Sequence, residues 1–192
     1  MNEDINTIME KFKDFTDRPR MIMLTLRGKE GGKVNNPDKV SRRKISANKE
    51  EFKKILEEFL KIKNSSPNIP LRIYSSLNAR DINKGIREFK RRQLESDYYD
   101  EESKYKFYLD IKNRFLSSIM VPASRAETKF LIDVDYDEGD NGWIIEQELL
   151  EAKVDILFTY KTKNGMHIVT EPFNPNLVSY KVNKDALLLL TY

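Results

Sequence analysis

The sequence predicts an α+β chain whose C-terminal part is a mostly antiparallel sheet. Three observations carry that expectation. Apolar runs of strand length alternate with helical patterns up to about residue 153. Beyond it, only short strand-like runs follow one another, separated by turn residues. Within the first of these regions the run Lys129-Phe-Leu-Ile-Asp133-Val-Asp135-Tyr-Asp137 is apolar and then carries alternating carboxylates.

Taken in order, residues 5–15 have the spacing of a short amphipathic helix, and Met21 to Leu26 read as a buried strand. Arg27 to Ser46, with three glycines, Pro37 and many charges, reads as a loop. Asn48 with Glu51 forms a capping pattern, and Phe52, Ile55, Leu56, Phe59 and Leu60 follow at helical spacing. Leu71 to Ser76 is a strand. After Asn78-Ala-Arg80-Asp81, a second helix carries Ile82, Ile86 and Phe89 on one face and ends in Lys90-Arg91-Arg92. A third helix is expected over 101–119, striped by Tyr108, Ile111, Phe115 and Ile119. The carboxylate strand comes next, then an acidic turn from Tyr136 to Gly142 and a helix from Trp143 to Lys153. Val154 to Tyr160 and Met166 to Thr170 pair as a hairpin, and Val178 to Val182 and Ala186 to Thr191 are the last strands.

The length, 192 residues, suits a single domain with ample core. No interdomain linker, repeat or low-complexity segment breaks it. The absence of cysteine excludes disulfides, thiolate zinc sites and cysteine nucleophiles. No apolar run approaches the roughly 20 residues of a membrane span. The N-terminus also lacks the basic start and apolar core of a signal peptide, so a cytoplasmic location is expected. The net charge of +3 is unevenly spread. Residues 1–96 carry 23 Lys and Arg against 14 Asp and Glu, while residues 97–192 carry 11 against 17. A basic half beside an acidic half suits a nucleic-acid enzyme, in which cations hold the backbone and carboxylates hold a metal. Solvated surface charge gives the same tally.

The chemistry concentrates in two stretches. Residues two apart in a strand share a face, so Asp133 and Asp135 point the same way. Like charges that close favour a cation between them, and hard cations such as Mg²⁺ or Mn²⁺ prefer oxygen ligands. The run is not an EF-hand, because Glu138 stands where glycine is needed and Ile144 where glutamate is needed. The bland alternative is a pair of solvated residues at a strand end. The second stretch, Lys163-Asn164-Gly165-Met166-His167, places the only histidine after a glycine turn, a pattern that can hold phosphate. A structural histidine is the alternative.

Asn78 and Arg80 follow a strand at its C-terminal end, where ligands of α/β units collect. They can meet a triphosphate there or cap the next helix. Arg42, Arg43 and Lys44, with Arg91 and Arg92, are candidate contacts for nucleic-acid phosphates or simply solvated cations. Tyr98, Tyr99, Tyr105 and Tyr108 can stack bases or pack.

Together, these residues resemble the archaeo-eukaryotic primase superfamily, which includes the primase-polymerases. That family carries an apolar run ending in Asp-x-Asp, here Phe130-Leu-Ile-Asp133-Val-Asp135. Its second motif, a small residue, any residue and histidine, matches Gly165-Met166-His167, and Leu71 to Arg80 is similar to its strand followed by small, Asn and basic residues. The resemblance covers about residues 70–192 and implies a primase-like core with an RRM-like C-terminal sheet. Residues 1–65 would form an accessory N-terminal α/β layer. It also implies that Asp133 and Asp135 bind two divalent ions, Mg²⁺ or Mn²⁺. His167, with Lys163, Asn78 and Arg80, would contact the incoming nucleotide. Asp185 is the candidate for the family's third carboxylate, although Lys184 precedes it where an apolar residue is the rule.

The implied activity is primase-like nucleotidyl transfer on a nucleic-acid template. The partners would be single-stranded DNA or RNA, nucleoside triphosphates and a helicase or other replication protein. The small size points to a phage or mobile-element setting. Two competing functions remain: a non-catalytic nucleic-acid or replisome binder on a degenerate primase core, and a metal-dependent nuclease using the same carboxylates.

Overall fold

The computed structural model describes residues 5–26, 41–135, 142–162 and 165–191. Most of the expected loop after Leu26 and the acidic turn after Asp135, with Asp137, lie outside these residues, as do Lys163 and Asn164. The described elements, in chain order, are α1 (Ile5–Lys11), β1 (Arg20–Leu26), β2 (Arg42–Ser46), α2 (Lys49–Asn64), β3 (Leu71–Ser76), α3 (Ile82–Asp97), α4 (Glu101–Leu109), α5 (Ile111–Met120), β4 (Phe130–Asp135), α6 (Gly142–Glu151), β5 (Ile156–Lys161), β6 (Gly165–Thr170), β7 (Val182–Asn183) and β8 (Leu187–Thr191). The chain is thus mixed α+β. Among the described residues no helix is long and apolar enough to cross a membrane.

Two compact units are formed, one from Met1–Ala126 with Leu188–Tyr192 and the other from Glu127–Leu187. The division falls well beyond residues 65–70, where an accessory layer was expected to end.

The first unit is built on a sheet in the order β2-β1-β3-β8, with β1 antiparallel to both β2 and β3. Met21 and Ile22 point to opposite faces of β1 and both are fully buried, which is why this strand reads as a continuous apolar run. Helix α2 lies against β1, β2 and β3. Its Asn48 side chain accepts from the Glu51 N–H at 3.0 Å, as the capping pattern predicted, and Phe52, Leu56 and Phe59 are its buried stripe. The segment Arg42–Ser46 is a strand rather than loop. It pairs with β1 at the sheet edge, where charged side chains discourage further pairing.

Helices α3, α4 and α5 pack together in the same unit. The single helix expected over 101–119 is broken at Asp110, whose φ of −111° and ψ of 26° leave the helical region. Gly85 of α3 meets α5 closely, since a Cβ there would lie 2.6 Å from Ile119 Cγ1.

The second unit has the sheet order β5-β6-β4-β7, antiparallel throughout. Strands β4 and β5 are both antiparallel to β6, so they run parallel to each other across it. Helix α6 joins them, which makes a split β-α-β arrangement. On one face Ile132, Val134 and Ile168 form a buried cluster with Ile145 and Leu149 of α6 and with Val154. The expected strand from Val178 shrinks to Val182–Asn183, and β8 belongs to the other sheet. A 3-10 turn at Pro175–Leu177 precedes Ser179, whose N–H and hydroxyl are both engaged by Glu148 of α6, at 2.9 and 2.8 Å.

Candidate metal and nucleotide site

Strand β4 has the burial pattern of a half-covered strand. Phe130, Ile132 and Val134 are buried on one side, while Asp133 and Asp135 are exposed on the other. The two carboxylates therefore share one face at the centre of the sheet. Antiparallel register sets Asp133 opposite His167 and Asp135 opposite Gly165. Directly opposed residues in such a ladder project to the same side. His167 Nε2 lies 3.0 Å from Asp133 Oδ1. Thus the acidic partner of the histidine is 34 residues away in sequence and directly across the ladder.

The hairpin adds a third member. Thr162 N–H donates to the Gly165 carbonyl at 2.8 Å, and this closure pairs Lys161 with Met166 and Tyr160 with His167. Tyr160 Oη stands 2.6 Å from His167 Nδ1, with the two rings edge to face at 4.9 Å. An ionised carboxylate can only accept, so Nε2 carries the proton toward Asp133, and in the neutral ring Nδ1 accepts from the Tyr160 hydroxyl. Both rings are buried, while the Asp133 side chain is about half exposed. The result is a hydrogen-bonded line from buried phenol to imidazole to a solvent-facing carboxylate.

The position before Met166 is restricted to glycine by packing. A Cβ on Gly165 would lie 1.8 Å from the Val134 carbonyl oxygen. The small residue of the Gly165-Met166-His167 pattern is therefore needed to let β6 approach β4.

Hydrogen bonding from His167 holds the Asp133 carboxyl below its ordinary value; burial opposes this and the imidazole charge adds to it. A carboxyl whose folded pKa is depressed contributes stability above its unfolded pKa, near 3.9, and loses it as pH falls through the folded value. Carboxyl NMR titration is expected to place Asp133 below the usual range, and His167→Ala should move it back up. An Asp133 titration unchanged by that substitution would contradict the contact.

Tyr160→Phe keeps the ring contacts but removes the hydroxyl that partners a buried ring nitrogen. It is expected to cost about 1–3 kcal/mol in urea unfolding. A smaller loss would show that Nδ1 finds another partner.

The remaining sequence candidates are dispersed. Asp185 is exposed and follows β7. Register pairs Leu131 with Asn183 and Ile132 with Val182, so the chain beyond Asn183 runs toward the Lys129 end of β4. Asp185 lies in the bend that follows β7 and forms no metal-holding group with the two aspartates. Among the described residues, no group of three or more His, Asp or Glu side chains is arranged to hold a metal ion.

Asn78 and Arg80 are buried. Arg80 donates from Nη1 to the Met120 carbonyl at 3.2 Å, and its backbone N–H binds the Pro19 carbonyl at 2.7 Å. The segment after β3 is thus woven into the first unit, and a nucleotide would reach neither side chain without rearrangement. Helix capping falls instead to Asp81, which accepts from the Lys84 N–H at 3.0 Å.

Arg42, Arg43 and Lys44 alternate between the two faces of β2 and do not form one patch. Lys44 pairs with Glu58 of α2, whereas Arg43 donates to Asn113 of α5 at 3.2 Å. Arg91 and Arg92 lie inside α3 rather than at its end. Both bind Glu88, at 2.8 and 2.7 Å, and hold its carboxyl down at about 2.

Tyr160 is the site residue that sequence reasoning missed. The hairpin turn carried the signal, because a loop closed between Thr162 and Gly165 sets Tyr160 opposite His167. Comparison of the chain with known protein families, with curated proteins and with solved structures finds no match.

Proposed function

We propose that this chain is a primase-like nucleotidyltransferase that joins nucleoside triphosphates on a nucleic-acid template. The observation that carries the reading is the face on which Asp133 and Asp135 stand side by side with His167 directly across from Asp133. Three further features support it. The carboxylate strand and the histidine strand are the central neighbours of a four-stranded antiparallel sheet. The split β-α-β connection suits the RRM-like core that the sequence resemblance implies. The glycine two residues before the histidine is required by the close approach of the strands.

The residues present fit a divalent ion of the Mg²⁺ type. Such an ion is ordinarily held by one or two carboxylates with substrate phosphates completing its shell, rather than by an all-protein cage. Two exposed carboxylates on one strand face meet that requirement, and Asp133 and Asp135 would hold the ion. Bound there, it would supply positive charge to the phosphoryl oxygens and to the attacking hydroxyl. His167 supplies an N–H aimed at an anionic oxygen, now a carboxylate, and an incoming phosphate is an acceptor of the same kind. Tyr160 fixes the ring orientation and tautomer that keep this N–H on Nε2.

A second reading, a non-catalytic nucleic-acid binder on the same core, is favoured by one observation: Asp185 stands apart from the two aspartates. The assay that separates these readings incubates the protein with single-stranded DNA, Mn²⁺ and labelled nucleotides. Extension supports the polymerase reading. Retention of DNA without extension supports the binder, and cleavage makes the same carboxylates those of a nuclease.

A further inference from the structure

A second cluster of chemistry lies in the first unit, on the helices α3, α4 and α5. They enclose a cleft of about 420 Å³, a size suited to a small organic ligand. Three cations line it, Arg92 from α3, Lys106 from α4 and Arg114 from α5. The lining also holds Tyr99, Phe107 and Ser96. We propose that this cleft binds one phosphorylated nucleoside unit, with its phosphate on Arg114, Lys106 and Arg92 and its base against Tyr99.

The arrangement of the cations supports an anionic ligand. The Arg114 guanidinium carbon lies 5.0 Å from the centroid of the Phe107 ring. That ring is buried and in turn packs on Phe89 at 5.7 Å. An arginine laid on an aromatic face is held in position while its N–H edge stays available for phosphate. No ion pair to Arg114 is formed among the described residues. Lys106 pairs with Glu102, both largely exposed, a pairing that costs little to exchange for a phosphate. Arg92 is anchored through Nε to Glu88 at 2.7 Å. The carboxylate in the lining, Glu95, is taken up by Arg91.

The aromatic component points to a nucleobase rather than to a bare anion. Tyr99 follows the end of α3 and is 68% exposed, although a tyrosine ring gains by burial. A ring at the rim of a cationic cleft is the usual platform for stacking a base, and any base is accepted because each has a π-face. Ser96 and Ser103 bring hydroxyl groups to the same walls. The same chemistry is presented by a free mononucleotide and by one unit of a single strand.

The test uses the whole chain in EDTA, so that the outcome does not depend on a metal at Asp133 and Asp135. Fluorescence anisotropy is recorded with a labelled oligothymidylate, and thymidine monophosphate is titrated in parallel. Arg114→Gln and Tyr99→Ala alter exposed side chains, and circular dichroism confirms their folding. Each is expected to weaken oligothymidylate binding by about tenfold, the lower range for a lost stacking or charge-assisted contact. Arg114→Gln should also lower the log–log salt slope by about 0.7. Equal weakening for monophosphate and strand assigns the cleft to a free nucleotide; weakening for the strand alone assigns it to nucleic acid. Unchanged binding of both ligands by both variants, or no binding of either by the unsubstituted chain, overturns the proposal.

Discussion

Asp135→Asn is expected to lower nucleotide incorporation in Mn²⁺ by about a hundredfold or more, while the unfolding free energy changes by no more than about 0.5 kcal/mol. The substitution preserves shape and removes only charge. Asp135 is exposed, and its ladder partner is Gly165, which has no side chain to lean on it. Its loss should therefore be felt by a bound cation and scarcely by the fold. The paired control is Asp185→Asn. Because the β4–β7 register carries Asp185 toward the Lys129 end, that variant should retain activity. Primer extension on both proteins checks the pair of outcomes. An active Asp135→Asn, or an inactive Asp185→Asn that still folds, would move the metal site elsewhere.

The largest expected effect on stability comes from Gly165→Ala. A methyl group at that position would meet the Val134 carbonyl oxygen at 1.8 Å, far inside van der Waals contact. The obstacle is backbone and cannot rotate aside. Strand β6 must then shift against β4, which disturbs the pairing of Asp133 with His167 and of Val134 with Met166. A loss of about 3 kcal/mol in urea unfolding is expected, at the upper end for overpacking. A loss below about 1 kcal/mol would mean that the strands can separate locally without penalty. The effect on stability, unlike that of Asp135→Asn, should accompany any loss of activity.

The central features of the candidate site were legible because they follow from local pattern. Asp133 and Asp135 share a face in any strand, and the three-residue apolar lead Phe130-Leu131-Ile132 identifies the strand. The hairpin pairing of β5 with β6 was legible too, although not its register. The sequence order led us to expect the carboxylate strand beside the histidine hairpin, but not which residue stands opposite Asp133. That depends on the register of β6 on β4, which a period of two does not fix. Strand β2 was hidden because Arg42, Arg43 and Lys44 lack the apolar alternation of a strand. Their charge suits an edge position that composition alone cannot reveal.

Other misreadings have equally specific causes. The stripe from Tyr108 to Ile119 suggested one helix, but Asp110 accepts from Asn113 Nδ2 at 2.6 Å and starts a new one. Tyr108 and Ile111 are left 38% and 45% exposed, so the inferred stripe is not a continuous buried face. Val178 to Val182 has strand composition, yet the Ser179 N–H is given to Glu148 instead of a ladder. The basic side chains of α3 carry carboxylate partners that the sequence reading did not assign. Glu88 and Glu95, three or four residues away on the helix, take up Arg91, and Glu88 also takes up Arg92.

The most direct test of the carboxylate–histidine face is calorimetric titration of a nucleoside triphosphate with Mn²⁺ into the unsubstituted protein and into His167→Ala. The reading proposed here predicts saturable, Mn²⁺-dependent binding. It also predicts a weakening of about 1–3 kcal/mol in the variant, the worth of one charge-assisted hydrogen bond to phosphate. Absence of triphosphate binding by the unsubstituted protein at millimolar ligand, or equal binding by both proteins, would contradict it.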